Sequence, residues 1–440
     1  VLKRSSVLIT RKPKGEKTVK RKIALFVATM MTFLAVMGSG VFAQEDVTIE
    51  VWYAISGSSG ESLLAIIKDF EALNTGIKLK YSFSGGYSDT ATKITAALQS
   101  NTAPDVLIGG MPAYTGGYGN FYAGEMVKAD PEFDYDDVFA GLWDYAMYDG
   151  EVCNIPFGIS TPLMYYNRAL LEGTGIDLEN NPPQTWDEFV EVCKELKAYH
   201  AGNSHFVPFV VKDRPWLFKT QLRQVGNEVI HANEDYSVKT AAFGSSETAP
   251  VAAWWQTMAR EELTTVGDHA NAENVFLAGM AAFFAGSSTK ISAWTEVFGD
   301  DLLAIPMPYF TQPAVSLGGN TVSIFPSKDE ARTNAAWEFV KFITSTQPNA
   351  KFAINSGYLP IRLSALTLPE IQEAFAKNPA YKTAYWQLDH AFSYVNIDSF
   401  SALDNAIVNA IDKVTENTSY DPARAMKEAA AEYDLEAEGR

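Results

Sequence analysis

The sequence predicts an α/β fold built as two lobes, and three observations predict it. Val47 to Ile108 reads strand, helix, strand, helix, strand, the pattern of a parallel sheet with crossover helices. A second run of strands and helices begins after Pro156-Phe-Gly-Ile-Ser-Thr-Pro162. With residues 1–43 set aside as a leader, 397 of the 440 residues remain, more than one ordinary core organises.

The first strand is the alternating Val47-Thr-Ile-Glu-Val51, ending in Trp52-Tyr53. A loop, Ser56-Gly-Ser-Ser-Gly60, precedes an amphipathic helix from Glu61 to Leu73 that Asn74-Thr-Gly76 closes. A second strand, Ile77 to Phe83, leads through Ser84-Gly-Gly-Tyr-Ser-Asp89 to a helix over Thr90–Ser100, and a third strand runs from Asp105 to Ile108. In such sheets ligands gather at the carboxyl ends of strands, which here carry Trp52, Tyr87 and Met111. In the second unit, Leu163 to Asn167 reads as a strand. Thr185 with Glu188 three residues on is a capping box for a helix over Trp186–Tyr199. Ala331–Thr344, Ala402–Val414 and Pro422–Tyr433 are further amphipathic helices.

The leader has the three parts of a secretory signal: the basic Lys20-Arg-Lys22, an apolar run from Ile23 to Met37, and a small-residue site ending at Ala43. The expected cut leaves Gln44 first, and no lipid attaches to a glutamine. This predicts a free exported protein held in a periplasm, preceded by a basic extension over residues 1–18 that no fold argument uses. The leader holds nine of the 35 Lys/Arg and one of the 53 Asp/Glu, so the remainder carries a net charge of −26. Such a surface repels nucleic acid and anionic membranes. Cys153 and Cys193 are the two cysteines; an oxidising compartment permits a bridge, and two buried thiols fit the pattern equally.

The chain resembles the extracellular solute-binding proteins of ABC importers, in their sugar-binding branch. The resemblance rests on Val51-Trp-Tyr53, Gly86-Tyr-Ser-Asp89, Ala103-Pro-Asp-Val106, the Pro156–Asn167 stretch and Pro182-Pro-Gln-Thr-Trp-Asp-Glu-Phe189. It continues in Phe276-Leu-Ala-Gly-Met-Ala-Ala282, Gly318-Gly-Asn320, Ala335-Ala-Trp-Glu-Phe-Val-Lys-Phe342 and Ser356-Gly-Tyr-Leu-Pro-Ile-Arg362, in the family's order over nearly the whole mature chain. The last of these, with Phe157–Pro162, is most similar to the glycerol-3-phosphate-binding members. The resemblance implies a type II periplasmic binding protein fold, a Venus flytrap of two α/β lobes with three interlobe crossings. Mapped here, lobe one is 44–157 with 287–317 and lobe two is 163–283 with 323–435. Crossings are expected near 158–162, 284–286 and 318–322. It also implies a monomer without a cofactor or metal, serving membrane permease subunits and a separate ATPase.

Sugars offer C–H faces to aromatic rings and hydroxyls to short polar groups. The resemblance places ligand contacts at Tyr87, Ser160, Trp216, Ser287, Gly319 and Tyr358; the loops add Trp52, Ser56, Asp89 and Asn320. Two positions depart from the glycerol-phosphate pattern. An acidic position falls on Met111, and the phosphate-holding arginine falls on Asn396, in Tyr394-Val-Asn-Ile-Asp398, where Asn396 and Asp398 are expected to take ligand hydroxyls instead. A phosphate dianion wants a guanidinium fork, so the expected ligand is a neutral mono- or oligosaccharide. A glycerol phosphate or its diester is the alternative, with Arg214 as the cation that would serve it. A secreted carbohydrate-active enzyme is the rival from another class. Ser287-Ser-Thr-Lys290 fits a Ser-x-x-Lys nucleophile pattern, but its companion motifs are absent and no carboxylate pair is singled out for glycoside hydrolysis.

Overall fold

The structure is a computed structural model that describes residues 46–110, 112–115, 122–267, 269–325, 327–397 and 400–438, Tyr114 by its backbone only. The signal-peptide reading, Met111 and Asp398 lie outside the described residues.

The first sheet has five strands in the order Ile77–Phe83, Val47–Tyr53, Val106–Gly110, Gly318–Ile324, Ile155–Ser160. Its first three strands are parallel, with Val47 opposite Ile77 and Val51 opposite Val106; Gly318–Ile324 runs antiparallel to both of its neighbours. Alternation places Ile49 and Val51 in the core on one face. It places Trp52 on the other face, against Ile94, Ala97, Leu107 and Phe325. The connecting helix Gly57–Ala72 buries Leu63, Ile66, Ile67 and Phe70, spaced to form one helical face. The helix after the second strand starts at Tyr87, three residues before the sequence expectation. Gly85, at φ +109°, turns the chain sharply enough for Tyr87 to enter the first helical turn.

The second sheet orders Leu302–Ile305, Pro162–Asn167, Ala281–Ser287, Val207–Val211. All six residues of Pro162–Asn167 are buried, as a strand covered on both faces requires. The Thr185–Glu188 capping box is present, and the helix it starts buries Phe189, Cys193 and Leu196. Helices Phe400–Glu416 and Pro422–Glu438 close the same core with Ile407, Ile411, Met426 and Tyr433.

The structure corrects the expected segment boundaries. Residues 287–317 do not join the first sheet: Ala281–Ser287 runs unbroken beside Pro162–Asn167, and Leu302–Ile305 pairs with that strand's other edge. No crossing falls at Gly286, which pairs with Leu163 from inside Ala281–Ser287 and where a Cβ would meet the Phe284 ring at 2.3 Å. Conversely, Gly318–Ile324 lies in the first sheet, and Ala336, Phe339, Val340 and Phe352 belong to its core. The chain passes between the sheets at Thr161 and again at Leu317. It returns after Arg362, where Ala380, Tyr381 and Ala384 pack with Leu163, Tyr165 and Leu302 of the second sheet.

Cys153 and Cys193 are both free and buried. Burial pushes the Cys153 thiol up to about 12 and the Cys193 thiol well above its usual value, so both stay protonated near neutral pH. The folded protein is therefore expected to resist a thiol-specific disulfide reagent, with two thiols reacting per chain once denaturant is added. Rapid reaction of either one in the folded state would contradict the packing.

Candidate functional site

The site is built on two paired strands. Ser160 lies opposite Gly318, Ile159 opposite Gly319, and Gly158 opposite Asn320. Gly319 adopts φ +122°, and a Cβ there would come within 2.0 Å of the Gly158 carbonyl oxygen. Only glycine permits this approach. The Tyr145 hydroxyl donates to the Gly319 carbonyl at 3.1 Å.

A third segment docks on the first of these strands. The Leu359 amide donates to the Ile159 carbonyl at 2.7 Å. Asn349 fastens the two, its amide donating to the Phe157 carbonyl at 2.9 Å and accepting from the Ile361 amide at 2.9 Å. Tyr358 is thereby held with its hydroxyl 3.3 Å from that of Tyr87, and its ring stacks on Phe352. Burial raises the pKa of Tyr87 and, more strongly, of Tyr358, so both phenols remain neutral.

Trp216 enters from the second core. It sits in the first turn of helix Arg214–Gln224, whose Asp213 cap accepts from the Trp216 backbone amide at 3.1 Å. Its indole lies over Gly318 beside Ser160: a Cβ on Gly318 would be 3.0 Å from Trp216 Cζ2 and 3.1 Å from Ser160 Oγ. The Trp216 Nε1–H is buried and meets no acceptor among the described residues. The structure therefore brings Tyr87, Ser160, Trp216, Gly319, Asn320 and Tyr358 together.

The other expected contacts are placed differently. Ser287 lies nearby, pairing with Pro162, and its hydroxyl oxygen accepts from the Thr289 amide and hydroxyl. Ser56 is exposed at the start of helix Gly57–Ala72, and Ser59 in that helix's first turn donates to the Ser356 carbonyl at 3.3 Å. Asp89 is exposed in the first turn of its helix and folds back over Gly85. Trp52 packs on the far face of the first sheet, and its indole donates to Glu50 at 2.9 Å. Asn396 is buried and donates to the Met147 carbonyl at 2.7 Å, which fixes the hairpin Met147–Val152. Lys239 grips the same hairpin, 2.6 Å from Asp149 Oδ1 and 4.7 Å from the Tyr148 ring. Sequence reasoning missed Tyr145, which lies far from Gly319 in the chain and in no motif.

The basic side chains on Trp216's helix are engaged. Arg214 pairs with Asp412, and Lys219 lies 2.7 Å from Asp404 and 3.3 Å from the Tyr394 hydroxyl. Among the described residues, no group of three or more His, Cys, Asp or Glu is arranged to hold a metal ion, and no helix is long and apolar enough to cross a membrane.

The profile of the family described as bacterial extracellular solute-binding protein matches residues 65–383. The chain belongs to that family. This solute-binding protein is similar to the sn-glycerol-3-phosphate-binding periplasmic protein of Brucella abortus, 24% identical over 369 residues, 80% of this chain and 83% of that one. The Escherichia coli protein of the same name is 24% identical over 381 residues, covering 81% and 83% of the two chains. Two solved structures share its fold. The cyclic alpha-maltosyl-1,6-maltose binding protein of Arthrobacter globiformis superposes with a TM-score of 0.77 at 20% identity, over 90% of this chain and all of that one. UgpB of Mycobacterium tuberculosis, in complex with glycerophosphocholine, gives 0.76 at 22% identity over 89% and 99%. The fold is that of type II periplasmic binding proteins, as the sequence predicts.

The glycine pairing under the site is testable on its own. Gly319→Ala combines a strained backbone with a clash into the Gly158 carbonyl and is expected to cost at least about 3 kcal/mol of stability, measured by urea unfolding. A loss below about 1 kcal/mol would mean that the two strands are not held this closely.

Proposed function

We propose that this protein captures a neutral mono- or oligosaccharide between its two sheet-centred lobes and delivers it, chemically unchanged, to the permease of an ABC importer. The observation that carries this is the composition of the site: two neutral phenols, a buried amide, a hydroxyl and an indole, with the neighbouring Arg214 and Lys219 already paired to carboxylates. Rings cover sugar faces, and uncharged donors and acceptors satisfy hydroxyls. A phosphate dianion would have to compete with Asp412 or Asp404 for a cation. The solute is held across strands whose lobes rotate about the passages at Thr161, Leu317 and the segment after Arg362, so closure is selected by contacts made to both lobes. Export to a periplasm, action as a monomer and the absence of catalysis belong to the same reading.

A second reading, a glycerol phosphate or its diester, has the names of the similar proteins in its favour. A thermal-shift and calorimetric screen decides between the two. Glucose, maltose, maltotriose and sucrose form one arm, and sn-glycerol 3-phosphate and glycerophosphocholine form the other. At least one sugar is expected to bind, with a fall in radius of gyration by solution scattering. Binding in the phosphate arm alone would reverse the choice of ligand, and product release from any glycoside would indicate an enzyme.

Trp216→Ala and Tyr358→Phe are each expected to weaken sugar binding about tenfold or more. Phenylalanine is the right probe at 358, because Tyr358→Ala would remove a ring stacked in the core and cost about 3–5 kcal/mol of stability. Unchanged affinity in both variants would displace the site.

With Tyr87 and Tyr358 titrating above the ordinary phenol value of 10.0, their hydroxyls stay protonated, and affinity is expected to be flat from about pH 6 to pH 9. A loss of affinity as pH rises through that range would show a phenol ionising there.

A further inference from the structure

Asn320 stands apart from every other buried asparagine described. Asn154, Asn167, Asn349, Asn378 and Asn396 each make a hydrogen bond inside the protein. Asn320 is fully buried, and among the described residues neither its Nδ2 nor its Oδ1 meets a hydrogen-bond partner. Its neighbours on the same strand show the contrast. Thr321 Oγ1 donates to the Gly110 carbonyl and accepts from Asn154 Nδ2 at 2.7 Å, and Ser323 Oγ donates to Asn154 Oδ1 at 3.0 Å. The polar groups one residue away thus form a closed network, while the Asn320 amide is left with a donor and an acceptor to offer.

Its surroundings locate it in the candidate site. Asn320 is opposite Gly158, where a Cβ would stand 3.1 Å from Nδ2 and 3.2 Å from Oδ1. The amide lies near enough to the Tyr87 and Tyr358 hydroxyls to ease the ionisation of both, without reaching hydrogen-bond geometry with either. An unpaired amide at full burial destabilises the folded protein by itself. It is offset where a ligand supplies the missing partners.

We propose that Asn320 is a specificity-determining residue that reads two adjacent hydroxyls of the ligand, one accepting from Nδ2–H and the other donating to Oδ1. A hydroxyl both donates and accepts, so a vicinal diol satisfies both ends of one planar amide. A carboxylate or phosphate has acceptors only and leaves Oδ1 facing an anion. The inference rests on the ligand-site reading above but not on the choice of sugar, because a sugar ring and the glycerol unit of a glycerol phosphate both carry vicinal hydroxyls.

The test uses Asn320→Ala and Asn320→Ser, first without ligand. Because neither end of the amide meets a partner at full hydrogen-bond geometry among the described residues, both variants are expected to melt no lower than the wild type. A lower melting temperature in both would assign Asn320 a structural role and overturn the inference. Calorimetry follows, with the tightest-binding compound of the sugar and glycerol-phosphate arms. Affinity is expected to fall about 10- to 100-fold in Asn320→Ala. One monodeoxy analogue of that compound should bind wild type more weakly than its parent, yet bind the alanine variant equally well. Unchanged affinity in the variants would refute the inference and leave the ligand site standing. Binding of glycerol phosphate alone would remove the sugar reading while the same variants still judge Asn320. Binding of nothing in either arm would remove both.

Discussion

The candidate site depends on one close approach of backbone to backbone. Gly319 at φ +122° lies against the Gly158 carbonyl, and no side chain fits between them. That contact sets the register in which Ser160, Gly319 and Asn320 share one patch of paired strand. It also leaves Gly318 bare beneath the Trp216 indole, and it leaves the Gly319 carbonyl available to Tyr145. A Cβ at 319 would separate the strands; one at 318 would crowd the indole and Ser160 Oγ.

Around this contact the polar groups divide into two kinds. One kind is spent on structure. Asp105 accepts from the Glu50 amide and from Arg332, which ties the start of one strand to the helix Glu330–Ile343. Arg362 donates to the Thr344 and Asp134 carbonyls and lies over the Phe133 ring. Asn349 joins two chain segments, and Asn396 with Lys239 holds the hairpin turned by Asp149-Gly150. The other kind is left with bonding capacity: the Trp216 indole N–H and both ends of Asn320. Under the proposed function, those beside Gly318 and Gly158 are the ones a ligand's own polar atoms would complete.

Several motifs that carry the family resemblance turn out to do mechanical work. Ala103-Pro-Asp-Val106 matters through the Asp105 anchor, and the arginine of Ser356-Gly-Tyr-Leu-Pro-Ile-Arg362 holds the segment that presents Tyr358. The acidic excess of the chain accords with pairing of its buried cations. Arg214 and Lys219, which stand closest to Trp216 in the chain, each meet an aspartate from helix Phe400–Glu416. That pairing weighs toward an uncharged solute in the proposed function.

Periodicity and capping chemistry are local, so the sequence by itself determined the parallel strand–helix–strand start, the Thr185–Glu188 capped helix and the two C-terminal helices. The family resemblance pointed to Tyr87, Trp216, Gly319 and Tyr358, and the polar loop composition added Asn320. Only the tertiary structure decided which sheet each later strand joins: neither the apolar Leu302–Ile305 nor the Gly- and hydroxyl-rich Gly318–Ile324 carries a local mark of its sheet. It alone separated Trp52 and Asn396, which have protein partners, from Asn320, whose amide meets none at hydrogen-bond geometry among the described residues. Whether a polar atom is satisfied depends on groups brought from hundreds of residues away, and no local pattern records that.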